Sequence, residues 1–353
     1  SLGPPKFIEM RDLPWCNPNA IVKNIAFYPG DSVVFETVRG PRAQSFAAWL
    51  RSNGIRVIFS ECDLYSESDI IELSDEVVCS SNYLANIYSK RHAKKITVIP
   101  DMVEDILTEK ELMNRIRPTN KNIKLLWIGN SRHWKTIETV KPILDLPEFR
   151  DYKLTTISNH PHADLPWSFK NAMRLLRTSD VVLVPTDSTS YALAKSSNRV
   201  IQAMALGATV LAGSIPSYVE VIRPGVNGFL CDSEQEWIAA LRLIRDPKVR
   251  ELTVKNAWEI VKSEYTEHSI GTKWRKLLFA DSHHRFKPVK SSSPNILDLQ
   301  THEELRIYAR LYEKQKRLFR SLLYLLWAYF ENPSRASLIR VFALIRRSML
   351  SSS

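Results

Sequence analysis

The feature that most constrains this chain is an alternation, over residues 1–281, of short apolar runs rich in β-branched side chains with longer amphipathic stretches. The runs predict strands and the stretches predict helices; the first helix, Pro41–Arg51, begins with proline and ends before Asn53-Gly54. Strands that alternate with helices pair in parallel, and runs that are apolar throughout are typical of strands covered on both faces. The sequence therefore predicts an α/β fold with strands at 32–37, 55–60, 76–79, 96–99, 123–128, 153–157, 180–184, 208–212 and 228–231.

One polar segment that contains proline and has no periodicity, Arg115–Asn122, interrupts the alternation and predicts a linker between two domains. The expected domains are residues 1–118 and residues 119–281, followed by residues 282–353, in which Lys287–Pro294 predicts a flexible linker before a helical tail. Ligands bind open α/β sheets outside the carboxyl ends of the strands. A cleft between the two domains is therefore the expected site.

Positive charge is concentrated at the end of the chain. Lys and Arg number 49 against 38 Asp and Glu, a net charge of +11, of which residues 282–353 carry +8. Two amphipathic stripes, Leu305–Tyr329 and Leu338–Met349, lie on either side of Asn332-Pro333 and predict basic helices that bind an anionic membrane surface. The alternative is that the stripes pack on the body or on a second copy of the chain, which would make a homo-oligomer.

Several other classes of protein are not predicted. The longest nearly apolar run, Leu318–Phe330, is interrupted by Arg320 and is too short for a membrane-spanning helix. No RRM, KH or helix-turn-helix pattern accompanies the basic charge, so nucleic acid is not an expected partner. The four cysteines form no CxxC pair, which favours a reducing compartment, and the histidine pairs at 160/162 and 283/284 lack the spacing of a metal site.

The segment Ser179–Val221 holds the most informative pattern for function. A predicted strand ends at Pro185, a polar loop follows, and Lys195-Ser196-Ser197-Asn198-Arg199 opens an amphipathic helix. Helix N-termini expose unpaired N–H groups and a partial positive charge, so cations and hydroxyls gathered there predict an anion site suited to phosphate. The alternative is a well-capped helix with solvated charges.

This segment resembles the donor-binding half of the GT-B glycosyltransferases, nucleotide-sugar-dependent enzymes of group 1, family 4-like. Their second domain commonly has a strand ending in Pro, a polar loop, Lys-Ser/Pro-x-x-Lys/Arg, and then Glu-x-Met-Ala-x-Gly-x-Pro-Val. The resemblance implies that the diphosphate of the donor contacts Lys195, Ser196, Asn198 and Arg199, and that Gln202 lies at the ribose.

Three further segments are similar to the same family. Ile123–Lys135 resembles the glycine-containing turn after the first strand of the donor domain, Ser74–Asp101 resembles the end of the N-terminal domain, and Pro224–Leu230 resembles a G-x-N-G-hydrophobic turn. The similarity runs from about Val33 to about Leu278 and implies two Rossmann-like domains that face a cleft, with the acceptor on the N-terminal side. It adds these residues to the expected donor site: Gly129, Asn130, Arg132, His133 and Lys135.

The chain departs from the family at one pair of positions. Retaining members usually carry Glu-x7-Glu, and here these positions are Ala194 and Gln202. Glutamine can still hydrogen-bond a ribose hydroxyl, but alanine cannot hold a sugar hydroxyl. Retention or inversion is therefore not assigned. Glu61 and Asp63 are candidate catalytic acids, with solvated carboxylates as the alternative, and Asp101 is another, with a plain turn acid as the alternative. Asp187 is a fourth candidate, which would replace the missing acidic pair unless the chain belongs to a branch without that pair.

The sequence and the resemblance together predict a glycosyltransferase that moves a sugar from a nucleotide-sugar donor to a hydroxyl of a glycan or lipid-linked acceptor. The expected setting is cell-surface polysaccharide or lipid-linked glycan synthesis of the bacterial type, in the cytoplasm on the inner face of the membrane. No cofactor and no metal are predicted, because the basic side chains and the helix dipole would neutralise the leaving diphosphate. The alternatives are a catalytically inactive GT-B module that acts as a binding or scaffolding subunit, a nucleotide-sugar epimerase, and a phosphorylase.

Overall fold

The computed structural model describes residues 27, 29–37, 41–64, 69–115 and 122–279. The predicted tail at 282–353 and most of the predicted linker at 115–122 lie outside these residues. The chain divides into two compact units: the first includes the described residues within 1–59 and 68–75, and the second includes those within 60–67 and 76–282.

The first unit is built around a small aromatic core. It contains β1 (Ser32–Glu36), α1 (Pro41–Ser52), most of β2 (Arg56–Glu61) and α2 (Asp69–Leu73). Phe46 of α1 packs between other rings, with centroids 6.0 Å from Phe27 and 6.2 Å from Trp49. The predicted helix at 41–51 is thus confirmed, and it ends next to Gly54, whose φ of +71° is the left-handed conformation that glycine favours.

The second unit starts with the end of β2 and continues through β3 (Glu76–Cys79), α3 (Asn82–Arg91) and β4 (Lys95–Val98). The first sheet has the order β1-β2-β3-β4, and β3 pairs with β4 in parallel from Glu76↔Lys95 to Cys79↔Val98. Ser81 caps the start of α3 by accepting a hydrogen bond from the backbone N–H of Leu84.

The second sheet forms the centre of the second unit. Its strands are β5 (Ile123–Ile128), β6 (Tyr152–Ile157), β7 (Val181–Val184), β8 (Thr209–Ala212) and β9 (Phe229–Leu230). The order is β6-β5-β7-β8-β9 and all pairs are parallel. The strand order reverses between β5 and β7, which is where open α/β sheets bind ligands.

Helices cover both faces of this sheet, because alternate residues of each buried strand point to opposite sides. Val182 and Val184 pack in one apolar cluster, and Val181 and Leu183 pack in the other. The helices are α4 (Glu109–Arg115), α5 (Trp134–Glu138), α6 (Lys141–Leu144), α7 (Phe169–Leu176), α8 (Ser190–Leu193), α9 (Asn198–Ala205), α10 (Pro216–Val219), α11 (Glu234–Leu243), α12 (Pro247–Glu264) and α13 (Glu267–Phe279).

The predicted α/β class with parallel strands is confirmed, and all nine predicted strands are present with ends within two residues of the expected ones. One helix boundary differs. The sequence predicts a helix that opens at Lys195, but α9 starts at Asn198 and the one-turn helix α8 precedes it. The break arises because the backbone N–H of Lys195 bonds back to Ala192 O at 3.1 Å, which closes the turn of α8.

The segment that precedes the predicted linker is fixed to the second unit. Trp258 Nε1 of α12 donates to Leu107 O at 2.9 Å. The guanidinium of Arg115, at the end of α4, donates to Gly207 O at 2.8 Å and to the carbonyls of Leu176, Arg177 and Ser179. Burial lowers the pKa of Arg115 to about 10. The predicted linker therefore begins with an anchored side chain.

Among residues 27–279 that the structure describes, no helix combines the length and the apolarity that crossing a membrane requires.

Candidate functional site

The candidate site lies at the carboxyl ends of β5 and β7 and centres on Lys195, between α8 and α9. Lys195 Nζ donates to Asp63 Oδ1 at 2.8 Å and to the hydroxyl of Tyr191 at 2.8 Å. It also lies 4.1 Å from the centroid of the Tyr191 ring. Asp63, His133, Tyr191 and Lys195 are named the Lys195 cluster below. The side chains of Lys195 and Asp63 are 29% and 23% exposed, so the ion pair is partly shielded from water.

Glu61 fixes the loop that presents Asp63. It ends β2, is buried, and accepts hydrogen bonds from the backbone N–H groups of Cys62 at 3.1 Å and Asp63 at 3.3 Å. Its second oxygen accepts from the Tyr88 hydroxyl at 3.3 Å. Glu61 and Asp63 were both predicted as catalytic candidates. Asp63 contacts Lys195, whereas Glu61 bonds the backbone of the loop that carries Asp63.

His133 joins the cluster from the turn after β5. Asn130 Oδ1 accepts from Arg132 N at 3.0 Å and so starts the tight turn Ser131–His133. The His133 ring is nearly parallel to that of Tyr191, with an interplanar angle of 3° and centroids 6.3 Å apart. Burial lowers the pKa of His133, and the positive charges of Lys195 and Arg199 lower it further. The imidazole is therefore neutral at neutral pH.

Gly129, a predicted donor residue, is required by packing. A Cβ at this position would lie 2.2 Å from Cζ2 of Trp127, whose indole fills the space beside the backbone. Gly129 N donates to Ile157 O at 3.0 Å, which ties the turn to the end of β6. The turn therefore stays close to the sheet, where the backbone can approach a ligand.

Arg199 lies in the first turn of α9 and completes the positive region. Its charge and that of Lys195 act on the buried Tyr218: burial raises the pKa of the tyrosine, and the two cations oppose that rise. Ser196 and Asn198 flank the start of α9 and are partly exposed. Arg132 and Lys135 are exposed on the neighbouring turn and on α5.

Asp187 supports the start of α8 by bonding Thr189, the residue whose side chain caps that helix. Its carboxylate accepts hydrogen bonds from the hydroxyl of Thr189 and, at 3.0 Å, from Thr189 N. These bonds lower the pKa of Asp187, against a smaller effect of burial, so the group is ionised. Asp101 follows β4 and is partly exposed. The catalytic roles of both residues stay predictions.

Gln202, the residue predicted at the ribose, is bonded to backbone groups of the chain. It is buried in α9, where its Oε1 accepts from Glu104 N at 2.7 Å and its Nε2 donates to Asp105 O at 2.8 Å. Both ends of the amide are already used by the 104–105 backbone, so the ribose contact stays a prediction. Ala194 is fully buried.

Tyr191 is the site residue that the sequence analysis does not identify. Its spacing of four residues from Lys195, which places side chains on one face of a helical turn, is a signal by which the sequence could have identified it. Trp167, which precedes α7, is 52% exposed, so it is not a core residue.

Within residues 27–279, where described, no group of three or more His, Cys, Asp or Glu side chains is arranged to hold a metal ion. His160 instead stacks on Trp134, with centroids 4.2 Å apart. Burial raises the pKa of Cys79 and of Cys231 to about 12, so neither is a thiolate at neutral pH.

Residues 105–246 match the family model of Glycosyl transferases group 1, a segment that includes β5 to β9 and most of the candidate site. The predicted resemblance is confirmed at the level of this group 1 domain, residues 105–246, and of the fold that the chain shares with solved structures. A search of curated protein sequences gives no match.

Solved structures share the fold at low sequence identity. HepE from Anabaena, crystallised with UDP, is 15% identical with a TM-score of 0.53, over 71% of this chain and 79% of HepE. TarM of S. aureus is 13% identical with a TM-score of 0.54, over 74% of this chain and 57% of TarM. WaaG, described as a glycosyltransferase involved in lipopolysaccharide biosynthesis, is 12% identical with a TM-score of 0.51, over 74% of this chain and 80% of WaaG.

Proposed function

We propose that this glycosyltransferase takes a sugar from a nucleotide-sugar donor whose diphosphate binds between Lys195, Arg199 and the turn that carries His133. The observation that supports the proposal is the meeting of these three groups at the carboxyl ends of β5 and β7, beside the start of α9. The positive end of the helix and two cations complement a diphosphate. HepE, which shares the fold, was crystallised with UDP, and this favours a uridine nucleotide.

The transfer breaks the bond between the anomeric carbon and the diphosphate oxygen, and the acceptor oxygen forms the new bond to that carbon. Negative charge grows on the leaving diphosphate, where Lys195 and Arg199 stabilise it in place of a metal ion. The acceptor hydroxyl loses its proton, and Asp63 is the carboxylate that the structure brings to the Lys195 ammonium. Asp63 is therefore the proposed proton acceptor among the four predicted acids.

We also propose a glycan or lipid-linked acceptor at a membrane, with the enzyme on its inner face. WaaG and its role in lipopolysaccharide biosynthesis support an acceptor of this class. The net charge of +8 in residues 282–353 supports attachment to an anionic surface.

The first test is a thermal-shift panel of UDP, GDP, CMP, dTDP and ADP, each with and without magnesium. We expect one nucleotide to raise the melting temperature independently of magnesium, and Arg199→Ala to abolish the shift. The matched control is Arg174→Ala, which removes an exposed arginine of α7 and should keep the shift. A protein that responds to no nucleotide would contradict the proposal, as would equal losses in the two variants.

A turnover assay then separates transfer from the other activities of the fold. A transferase releases nucleotide from the donor only when an acceptor is present. Two results would contradict the proposed activity. One is nucleotide release without an acceptor at a rate above slow hydrolysis, and the other is a donor that binds but releases no nucleotide when an acceptor is present.

A further inference from the structure

We infer that Tyr191 is a positioning residue for the donor: it holds the Lys195 ammonium while that ammonium exchanges the Asp63 carboxylate for a phosphate of the donor. The inference rests on the proposed function. It assigns Tyr191 as the residue that orients the Lys195 ammonium toward a phosphate of the donor. The structure has Lys195 in contact with Asp63 and Tyr191 at once.

The Tyr191 side chain contacts Lys195 in two ways. An ammonium has three N–H donors, and those of Lys195 reach the Tyr191 hydroxyl and Asp63 Oδ1, each at 2.8 Å. The ammonium also lies 4.1 Å from the ring centroid, within the range of a cation–π interaction. The lysine stem therefore has a fixed direction that does not depend on Asp63.

Tyr191 is itself held in place from its own side of the site. It lies in α8, whose first turn is capped by the Thr189 side chain, which accepts from Ala192 N at 3.2 Å. Its ring is parallel to that of His133. The Tyr191 hydroxyl is 3.5 Å from Asp63 Oδ2, too long for a strong bond, so Lys195 is its main partner.

The charges of the groups determine whether a bound donor replaces the contact of Lys195 with Asp63 or its contact with Tyr191. The Asp63 carboxylate and a donor phosphate are both anions and repel each other when they meet at one ammonium, whereas the tyrosine is neutral and is not repelled. A diphosphate offers more negative charge and more acceptor oxygens than one carboxylate. Lys195 therefore keeps Tyr191 and releases Asp63 when the donor binds, which frees the carboxylate to take up the acceptor proton.

The test is calorimetric titration of the nucleotide selected by the thermal-shift panel into four variants. Tyr191→Phe keeps the ring and loses the hydroxyl, and we expect it to weaken binding up to about tenfold, because the long lysine side chain must then be ordered when the nucleotide binds. Tyr191→Leu also loses the ring and should weaken binding further. Asp63→Asn removes the competing charge and should tighten binding. Tyr83→Phe, in α3, is the matched control and should leave the affinity unchanged.

A double-variant cycle separates positioning from general support of the fold. In a Lys195→Met background, Tyr191→Phe should have no further effect on nucleotide affinity, because there is no ammonium to position. The melting temperature of Tyr191→Phe without ligand should match that of the wild type.

The possible failures are distinguishable. Absence of nucleotide binding in the wild type contradicts the proposed function itself. Nucleotide binding that is normal in Tyr191→Phe, or equally reduced by Tyr191→Phe with and without Lys195, overturns the inference alone. Weaker binding in Asp63→Asn overturns the exchange, because it would make Asp63 part of the nucleotide contact.

Discussion

Individual side chains set the protonation state of the candidate site. Lys195 is partly buried, which by itself would lower its pKa, but hydrogen bonds to Asp63 and Tyr191 outweigh burial and raise the pKa. The pKa of His133 is lowered by burial and by nearby cations, so the ring has no charge. These effects keep the ammonium positive and the imidazole neutral.

One consequence is a pH dependence of donor binding. A bound diphosphate offsets the positive charges near His133, so the pKa of His133 rises on binding and a proton is taken up. Affinity for a nucleotide sugar should therefore increase as the pH falls from about 8 to about 5.5. Titration calorimetry in buffers of different ionisation enthalpy measures the proton uptake. His133→Asn should remove it, and His268→Asn, an exposed control, should not. An affinity that decreases as the pH falls over this range would contradict the prediction.

The turn after β5 gives a stability prediction. Gly129→Ala would drive a methyl group into the Trp127 indole, and overpacking of this kind typically costs about 1–3 kcal/mol. Gly271→Ala is the matched control: no atom lies within 4 Å of the added Cβ, and alanine in a helix is more stable than glycine by up to about 1 kcal/mol. Urea unfolding of both variants gives the comparison. Equal free energies of unfolding would show that the indole yields without cost.

At the scale of elements, helix ends in the second unit are defined by side chains. The clearest case is α11, where Ser233 accepts from Glu236 N at 3.3 Å and the Glu236 carboxylate accepts from Ser233 N at 2.8 Å. This capping box satisfies two backbone donors that the helix leaves unpaired.

Ser233→Ala should therefore lower the free energy of unfolding by about 1 kcal/mol. Ser263→Ala is the control, since Ser263 is exposed inside α12 and bonds only the carbonyl of Ile260. Both values come from denaturant titration. A loss in Ser263→Ala as large as that in Ser233→Ala would contradict a specific capping effect.

The strands were predictable from sequence because apolar runs such as Val181–Val184 are buried on both faces and carry a local signal. Part of the site was also predictable from a local signal, because Lys195 and Arg199 are close in sequence at the start of one predicted helix. The pairing of Lys195 with Asp63 was not, because it joins positions 132 apart and depends on the assembled sheets. The contacts of Gln202 with residues 104 and 105 were not predictable either, because its partners there are backbone groups that no side-chain pattern marks.

For the molecule as a whole, the uneven distribution of charge is the dominant feature. Residues 282–353 carry +8 of the net +11, while the remaining 281 residues carry +3. Basic segments of this strength bind anionic lipid through electrostatic attraction that salt screens.

The full chain should therefore sediment with vesicles that contain anionic lipid, and less so at high salt or with neutral vesicles. Deletion of Glu304–Ser353 should abolish the binding and leave the nucleotide-induced thermal shift in place. Unchanged sedimentation after the deletion would rule out the tail as the membrane contact.

The hydrogen bond between the Arg115 guanidinium and the Gly207 carbonyl limits which residues homologues can have at position 207. Gly207 has a φ of +73°, and a Cβ there would lie 2.8 Å from Cδ of Arg115, whose Nε bonds the Gly207 carbonyl. Two separate constraints thus act on one glycine, and only one of them depends on the arginine. Homologues that retain the arginine should retain the glycine, whereas those that have lost it should also accept asparagine, which tolerates a positive φ. The residues at positions 115 and 207 should therefore covary among homologues.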